Sequence, residues 1–345
     1  MYMSKKIKQQ FFGNIFFSEK KKEKENCKNE DMTELQEINF QIRNELTMKK
    51  LVESISNYEY FFRTISPECD AQLKKTEQGL FIDNDYVEGV DEQYILLNIP
   101  SDSKLYFDSF IYETKPSSKN ILHLIESFRY ILSAITLLQK EGIAHFDIRP
   151  TNIVLDPLTQ TPRIVHFKKS ISIAHVSIQE LKPYFYATDQ SIQAYEIWTL
   201  EVYVIYYFLW LTNDPLHTSI CSKDNIAEII EMYMKSNKLN TIYTESQLNE
   251  LKHECHQYLS TFENWKRDNV IKKMFDYWKS WDLYSFSYMY CNICNILLLK
   301  TTNAYFISIL KSYLTVLCKN LHPNPKKRLS LIETQTKINH ILYET

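Results

Sequence analysis

The chain has 345 residues, 44% apolar and 24% charged, which excludes a disordered chain and supplies one large core or two lobes sharing a cleft. Forty Lys and Arg against 42 Asp and Glu leave a formal net charge of -2, so bulk electrostatic attraction to nucleic acid or an anionic membrane is not expected. Only 4 Gly stand beside 24 Tyr and 19 Phe, which leaves little room for phosphate loops built from close-approaching backbone.

The start, Met1 to Lys6, leads into polar residues, and no secretory signal is read there. Phe11 to Phe17 suits one or two short strands, and the Lys/Glu run from Glu19 to Glu25 reads as a solvated loop. Helical spacing runs from Met32 to Ile55 through Leu35, Ile38, Ile42, Leu46, Leu51 and Val52. Strand patterns follow at Leu80–Ile82 and Tyr94–Ile99, separated by turn-rich residues from Asp83 to Gln93. Pro100 to Ser103 breaks the pattern and marks a hinge.

From Lys119 to Lys140 the period is helical again, with Ile121, Leu124, Ile125, Phe128, Ile131, Leu132 and Ile135 on one side and Gly142 placed as a C-cap. His145-Phe146-Asp147-Ile148-Arg149-Pro150-Thr151-Asn152 comes next, then a hairpin of Ile153–Leu155 with Arg163–Phe167. An acid and an amide five residues apart on a Pro-stiffened loop can address one phosphate. Asp147 can accept a hydroxyl proton while Asn152 grips a metal ion.

The remainder reads as mostly helical. Its apolar stretches, Ala194–Leu211 and Leu283–Leu299, carry Glu196 and Glu201 or repeated Ser and Asn, and read as buried helices rather than membrane spans. Seven scattered cysteines suggest a reducing intracellular compartment without a disulfide framework. Cys291 and Cys294, with His253, Cys255 and His256, can be drawn as a zinc site, but their apolar neighbours make core cysteine the better reading. Trp265, Trp278 and Trp281 read as core rather than as a base-stacking surface.

A strand-rich front, a hinge, a long helix, His-x-Asp-x-x-x-x-Asn and a hairpin follow the order of parts in a protein kinase. The chain resembles a diverged member of that superfamily, above all over about residues 119–168 and 282–335. In its Lys/Asn/Ile/Tyr-rich, Gly-poor composition it is similar to the kinase-like proteins of large DNA viruses. The resemblance implies an α+β, bilobal protein-kinase-like fold. A reduced β-rich N-lobe would span 1–103 and a large helical C-lobe 104–345, with a helical insertion at about 170–281 as the expected partner-binding surface.

By the same resemblance Asp147 is the catalytic base, Asn152 the metal ligand and Arg149 the cation near the transferred phosphate. Phe146 stands where the family has an arginine that pairs with an activation-loop phosphate, so that switch is not expected. Asp282-Leu283-Tyr284-Ser285-Phe286-Ser287 is similar to the Asp-x-Trp-Ser-x-Gly motif, whose buried Asp holds the catalytic loop; Glu196 to Glu201 competes for the same match and is the less favoured. His322 to Ser330 resembles the Asp-Pro-x-x-Arg signature, which gives Arg328 a structural ion pair, with Glu196 as its expected partner.

Three features depart from the family. His166-Phe167-Lys168 stands in place of the metal-binding Asp-Phe-Gly, and a neutral imidazole is a poor ligand for Mg²⁺. No Gly-x-Gly-x-x-Gly is present. Several lysines compete for the phosphate-holding role, Lys28 first among them, with Glu45 as its helix partner.

ATP and Mg²⁺ are therefore possible cofactors, with weak or absent binding, and the expected partner is a protein, as ligand or substrate, with no nucleic acid and no membrane. Three functions compete: a degenerate kinase acting through protein binding, an active serine/threonine kinase with His166 or water completing the metal shell, and a small-molecule phosphotransferase. Losing a direct ligand to the metal removes about 3 kcal/mol or more of transition-state stabilisation, which favours the first.

Overall fold

The structure, a computed structural model, describes residues 16–17, 32–37, 40–71, 73–76, 79–82, 94–99, 107, 117–156, 158–185, 197–212, 218–236 and 238–344. It is a mixed α+β protein, mostly helical, with short antiparallel strands. The chain divides into two compact units, residues 1–106 with 154–170, and residues 107–153 with 171–345. The hairpin residues Val154–Ser170 thus belong with the first unit, although the sequence reading gave them to the C-lobe.

The first unit holds strands β1 (Phe16–Phe17), β2 (Met32–Glu37), β3 (Ser66–Ala71), β4 (Leu73–Thr76), β5 (Gly79–Ile82) and β6 (Tyr94–Ile99), and helix α1 (Phe40–Glu53). Four strands form an antiparallel sheet in the order β1-β2-β6-β3, and β4 and β5 pair separately. Met32–Glu37, expected as the start of a helix, is instead strand β2. It pairs with all six residues of β6, from Met32 opposite Ile99 to Glu37 opposite Tyr94. Six ladder positions outweigh the small differences in local propensity, and the helix begins only at Phe40. Pro67 lies on the edge strand β3 beside a register shift, where its missing N–H costs the sheet least. The strands β3 and β4 went unread because their sequences, Ser-Pro-Glu-Cys-Asp-Ala and Leu-Lys-Lys-Thr, lack a sustained apolar alternation.

Helix α1 buries Ile42, Asn44, Glu45, Met48 and Val52 along one face. That face lies against the single turn Phe167–Lys169, which follows the hairpin of Ile153–Leu155 with Pro162–Ile164. Phe62 bridges to Ile164 and packs edge-on against Phe167 at 5.9 Å, so the turn and the segment after α1 share one small core.

The second unit is built on helices: α2 (Ser118–Lys140), α3 (Leu200–Tyr206), α4 (Lys223–Ser236), α5 (Glu245–Leu259), α6 (Arg267–Phe275), α7 (Trp281–Lys300), α8 (Ala304–Asn320) and α9 (Leu331–Glu344). Ser117 caps α2 by accepting from the Asn120 N–H, and Gly142, at φ 68°, takes the left-handed conformation that ends it. All seven apolar residues predicted for its inner stripe are buried. Phe128 of α2 stacks on Phe286 of α7 at 4.6 Å and meets Tyr290 and Tyr313 edge-on, which fixes α2, α7 and α8 to one aromatic core.

Helix α7 is apolar on nearly every side and correspondingly buried, with 14 of its residues in the core. Among the described residues one helix, Lys119–Lys140, is long and apolar enough to cross a membrane, and 56% of its apolar window is buried inside the protein. Neither of the two stretches that the sequence reading singled out meets that test among the described residues. Residues 200–209 are buried as expected, and a π-helical turn, Tyr207–Leu211, closes the segment.

Candidate functional site

The His145–Asn152 loop leaves a short strand, Ile143–Ala144, which pairs with Ile171–Ser172. It ends in the one-turn helix Pro150–Asn152, whose first residue is a proline that needs no N–H partner there. The loop is held from below by Asp282 in the first turn of α7. Asp282 Oδ2 accepts from the His145 N–H at 2.7 Å and Oδ1 from the Phe146 N–H at 2.8 Å. Burial pushes the Asp282 carboxyl up to about 6, the two N–H groups oppose that rise, and the nearby Asp147 charge adds to it.

Phe146 has φ 65°, a left-handed conformation that a side chain of its size seldom adopts. The surroundings over-determine it. Asp282 fixes its N–H, while its ring lies against Phe185 at 5.1 Å, Trp281 at 5.4 Å and Trp198, stacked, at 5.9 Å. Ser285, one turn along α7 from Asp282, donates to the Ile197 carbonyl at 2.8 Å. One end of α7 therefore positions both the loop and the segment at Ile197–Thr199.

Asp147, Arg149 and Asn152 come together. The Asn152 amide nitrogen donates to the Asp147 backbone oxygen and to Asp147 Oδ2, both at 2.8 Å, and Arg149 Nη2 lies 3.2 Å from the same Oδ2. Asp147 and Asn152 are buried, whereas the Arg149 side chain is 36% exposed. Asp147 Oδ1 is buried with no hydrogen-bond partner, which leaves one carboxylate oxygen able to take a proton. The bonds made by Asn152 use its nitrogen, so its carbonyl oxygen is the atom a cation would meet. Among the described residues no group of three or more His, Cys, Asp or Glu side chains is placed to hold a metal ion. Mg²⁺ usually keeps several waters and takes only one or two protein oxygens, and Asp147 and Asn152 are the loop residues that could supply them.

A second set of predicted residues lies in the first unit. Glu45 Oε1 accepts from the Phe167 N–H at 2.9 Å, and Asn44 donates to the carbonyls of Lys168 and Ser170 at 3.0 and 2.8 Å. Burial pushes the Glu45 carboxyl up to about 7, opposed by the Phe167 N–H and the Lys168 charge. Among the described residues the cation that acts on Glu45 is Lys168; Lys28, its expected partner, lies outside them. His166 precedes the Phe167 turn in the left-handed conformation, φ 66° and ψ 73°. These residues and the Asp147 set belong to different units.

The expected Arg328–Glu196 pair is corrected to Arg328–Glu201. Arg328 meets Glu201 in the first turn of α3 through two bonds of 2.7 Å, and Glu196 lies outside the described residues. The lone arginine of the Pro-rich turn asked for an acid, but spacing could not choose between two glutamates five residues apart. Of the two matches to the Asp-x-Trp-Ser-x-Gly motif, Asp282 is the one that holds the loop backbone.

Cys255, Cys291 and Cys294 are buried, and burial pushes the Cys255 and Cys294 thiols up to about 12. Trp281 is core, but Trp265 is 45% exposed, contrary to the sequence reading. The residues before it, Phe262 and Asn264, form a turn that carries its ring outward, which spacing alone did not reveal. No protein-family model matches the sequence, and no curated protein matches it.

Proposed function

We propose that this chain is a degenerate protein-kinase-like protein that acts through binding a protein partner, with weak or no phosphotransfer. The observation that carries the reading is the Asp282 carboxylate on the His145 and Phe146 N–H groups, with Asn152 locked to Asp147 beside it. Such a network keeps the polar loop of the resembling family in shape. The position that would supply the metal's anionic oxygen carries His166 instead, followed by Lys168, whose charge acts on Glu45. A loop that is structurally maintained, in a chain that carries His166 in place of the acidic ligand, fits a scaffold better than a catalyst.

A second reading, an active serine/threonine kinase, is favoured by one atom. Asp147 Oδ1 is buried without a partner, as a base awaiting a hydroxyl would be. Thermal shift with ATP, with and without Mg²⁺ or Mn²⁺, followed by γ-phosphate transfer to a generic protein substrate, separates the two. The degenerate reading expects little stabilisation and no transfer above background. Metal-dependent transfer that disappears in Asp147→Asn would overturn it.

A further inference from the structure

A cavity of about 340 Å³ lies in the second unit, and no residue of the His145–Asn152 loop lines it. One wall is aromatic, made by Tyr258, Phe262, Trp265 and Tyr277. Tyr258 and Phe262 meet edge-on at 5.3 Å, and Phe262 and Trp265 at 5.2 Å, so the rings brace one another as a panel. Phe262 is buried by this packing while Trp265 keeps nearly half its surface open. An indole fixed on one side and open on the other, in the lining of a cavity, is the kind of side chain that anchors a partner.

The rim is basic, with Lys273, Lys326 and Lys327. Lys273 pairs with Asp276 at 3.0 Å and Lys327 with Glu254 at 3.2 Å, both in solvent-exposed settings where such pairs hold weakly and can be exchanged. Lys326 is exposed and joins no ion pair among the described residues. Glu254, the carboxylate of the lining, also meets His322 Nε2 at 2.9 Å, an imidazole whose pKa burial holds below its usual value. On a chain of net charge -2 this basic rim is local, and its complement is acidic.

The lysines come from two separate elements, Lys273 from α6 and the adjacent Lys326 and Lys327 from the turn before α9, and no arginine lines the cavity. Separated ammonium groups suit carboxylates spaced along an extended chain, whereas a single phosphate is gripped best by an arginine fork. We propose that this cavity binds an acidic peptide segment of a partner protein. One apolar or aromatic side chain sits against Trp265, and carboxylates reach Lys273, Lys326 and Lys327. The proposal gives the partner-binding role above its chemistry and to that extent rests on it. Its test uses neither nucleotide nor phosphotransfer, so the two fail separately.

The full chain is panned with a displayed random dodecapeptide library, and enriched peptides are synthesised with fluorescein for anisotropy titration. The enriched set is expected to carry Asp and Glu around one aromatic or large aliphatic residue. Trp265→Ala should weaken binding about tenfold or more. Lys326→Glu, an exposed change that leaves folding intact, should weaken it several-fold, and added salt should weaken it further. Failure to enrich any peptide, an enriched set without acidic residues, or equal affinity in both variants would overturn the proposal.

Discussion

Arg328 and Glu201, 127 positions apart, meet fork to fork: Nη1 on Oε1 and Nη2 on Oε2, each at 2.7 Å, with both side chains almost wholly out of solvent. Arg328 also donates to the His322 carbonyl at 2.7 Å and to Ser280 Oγ at 2.8 Å, and its guanidinium lies 5.1 Å from the Tyr284 ring centre. Every polar direction of the charge is answered, which is the condition under which a buried pair holds two elements together.

Glu201→Ala leaves that guanidinium buried without its counter-charge. Stability in urea, followed by circular dichroism, should fall by about 3–5 kcal/mol. Arg328→Met combined with Glu201→Leu should cost less than the sum of the single changes, because neither charge is then stranded. A strictly additive double variant would show that the pair is not coupled.

Asp282→Ala should strand the N–H groups of His145 and Phe146 in the core. Each orphaned donor costs about 1–3 kcal/mol, so the loss should fall between about 2 and 6 kcal/mol. Hydrogen exchange is the sharper readout. The amides of His145 and Phe146 should lose protection far more than those of α4, which Asp282 does not touch.

Phe146→Arg, which restores the residue expected from the family resemblance, should destabilise the protein. The ring position lies among Phe185, Trp198 and Trp281, and a guanidinium placed among these rings loses its hydration. A loss of more than about 3 kcal/mol is expected, against about 1 kcal/mol for Phe146→Leu. Thermal denaturation of the two variants side by side distinguishes the outcomes.

Glu45 makes a pH prediction. Its carboxyl titrates at about 7 in the folded protein against the usual 4.5, so the folded state binds the proton more tightly than the unfolded. Its contribution is greatest below about 4.5 and is lost as pH rises through 7. Glu45→Gln removes this dependence while keeping an acceptor for the Phe167 N–H. The variant should gain stability over the parent on the order of 1–3 kcal/mol at pH 8, with the difference shrinking towards pH 5. Urea midpoints across that range check it, and a difference independent of pH would refute it.

The helices were legible where one face carried a sustained apolar stripe. Ile121 to Ile135 in α2 is such a case, and all its predicted inner residues are buried. Met32–Glu37 was not legible, because Leu35 fits either a helical face or a strand and only pairing with Tyr94–Ile99 decides it. Asp147, Arg149 and Asn152 could be named from spacing because they lie within one short loop. The supports of that loop could not all be named. Asp282, 137 positions from His145, was named through the family resemblance, but the rings of Phe185, Trp198 and Trp281 around Phe146 were not.

The sequence by itself determined the local grammar of this protein: an acid and an amide on a Pro-stiffened loop, a helix before it, a hairpin after it, and an imidazole followed by a lysine where an anionic ligand was expected. Tertiary structure decided the partnerships. It chose Glu201 for Arg328, an aromatic nest for Phe146, and an outward-facing Trp265 that shares a cavity with three lysines. The reason is physical. Backbone spacing is set by bonds between neighbours, while the pairing of buried charges and rings depends on which distant elements the core brings into contact.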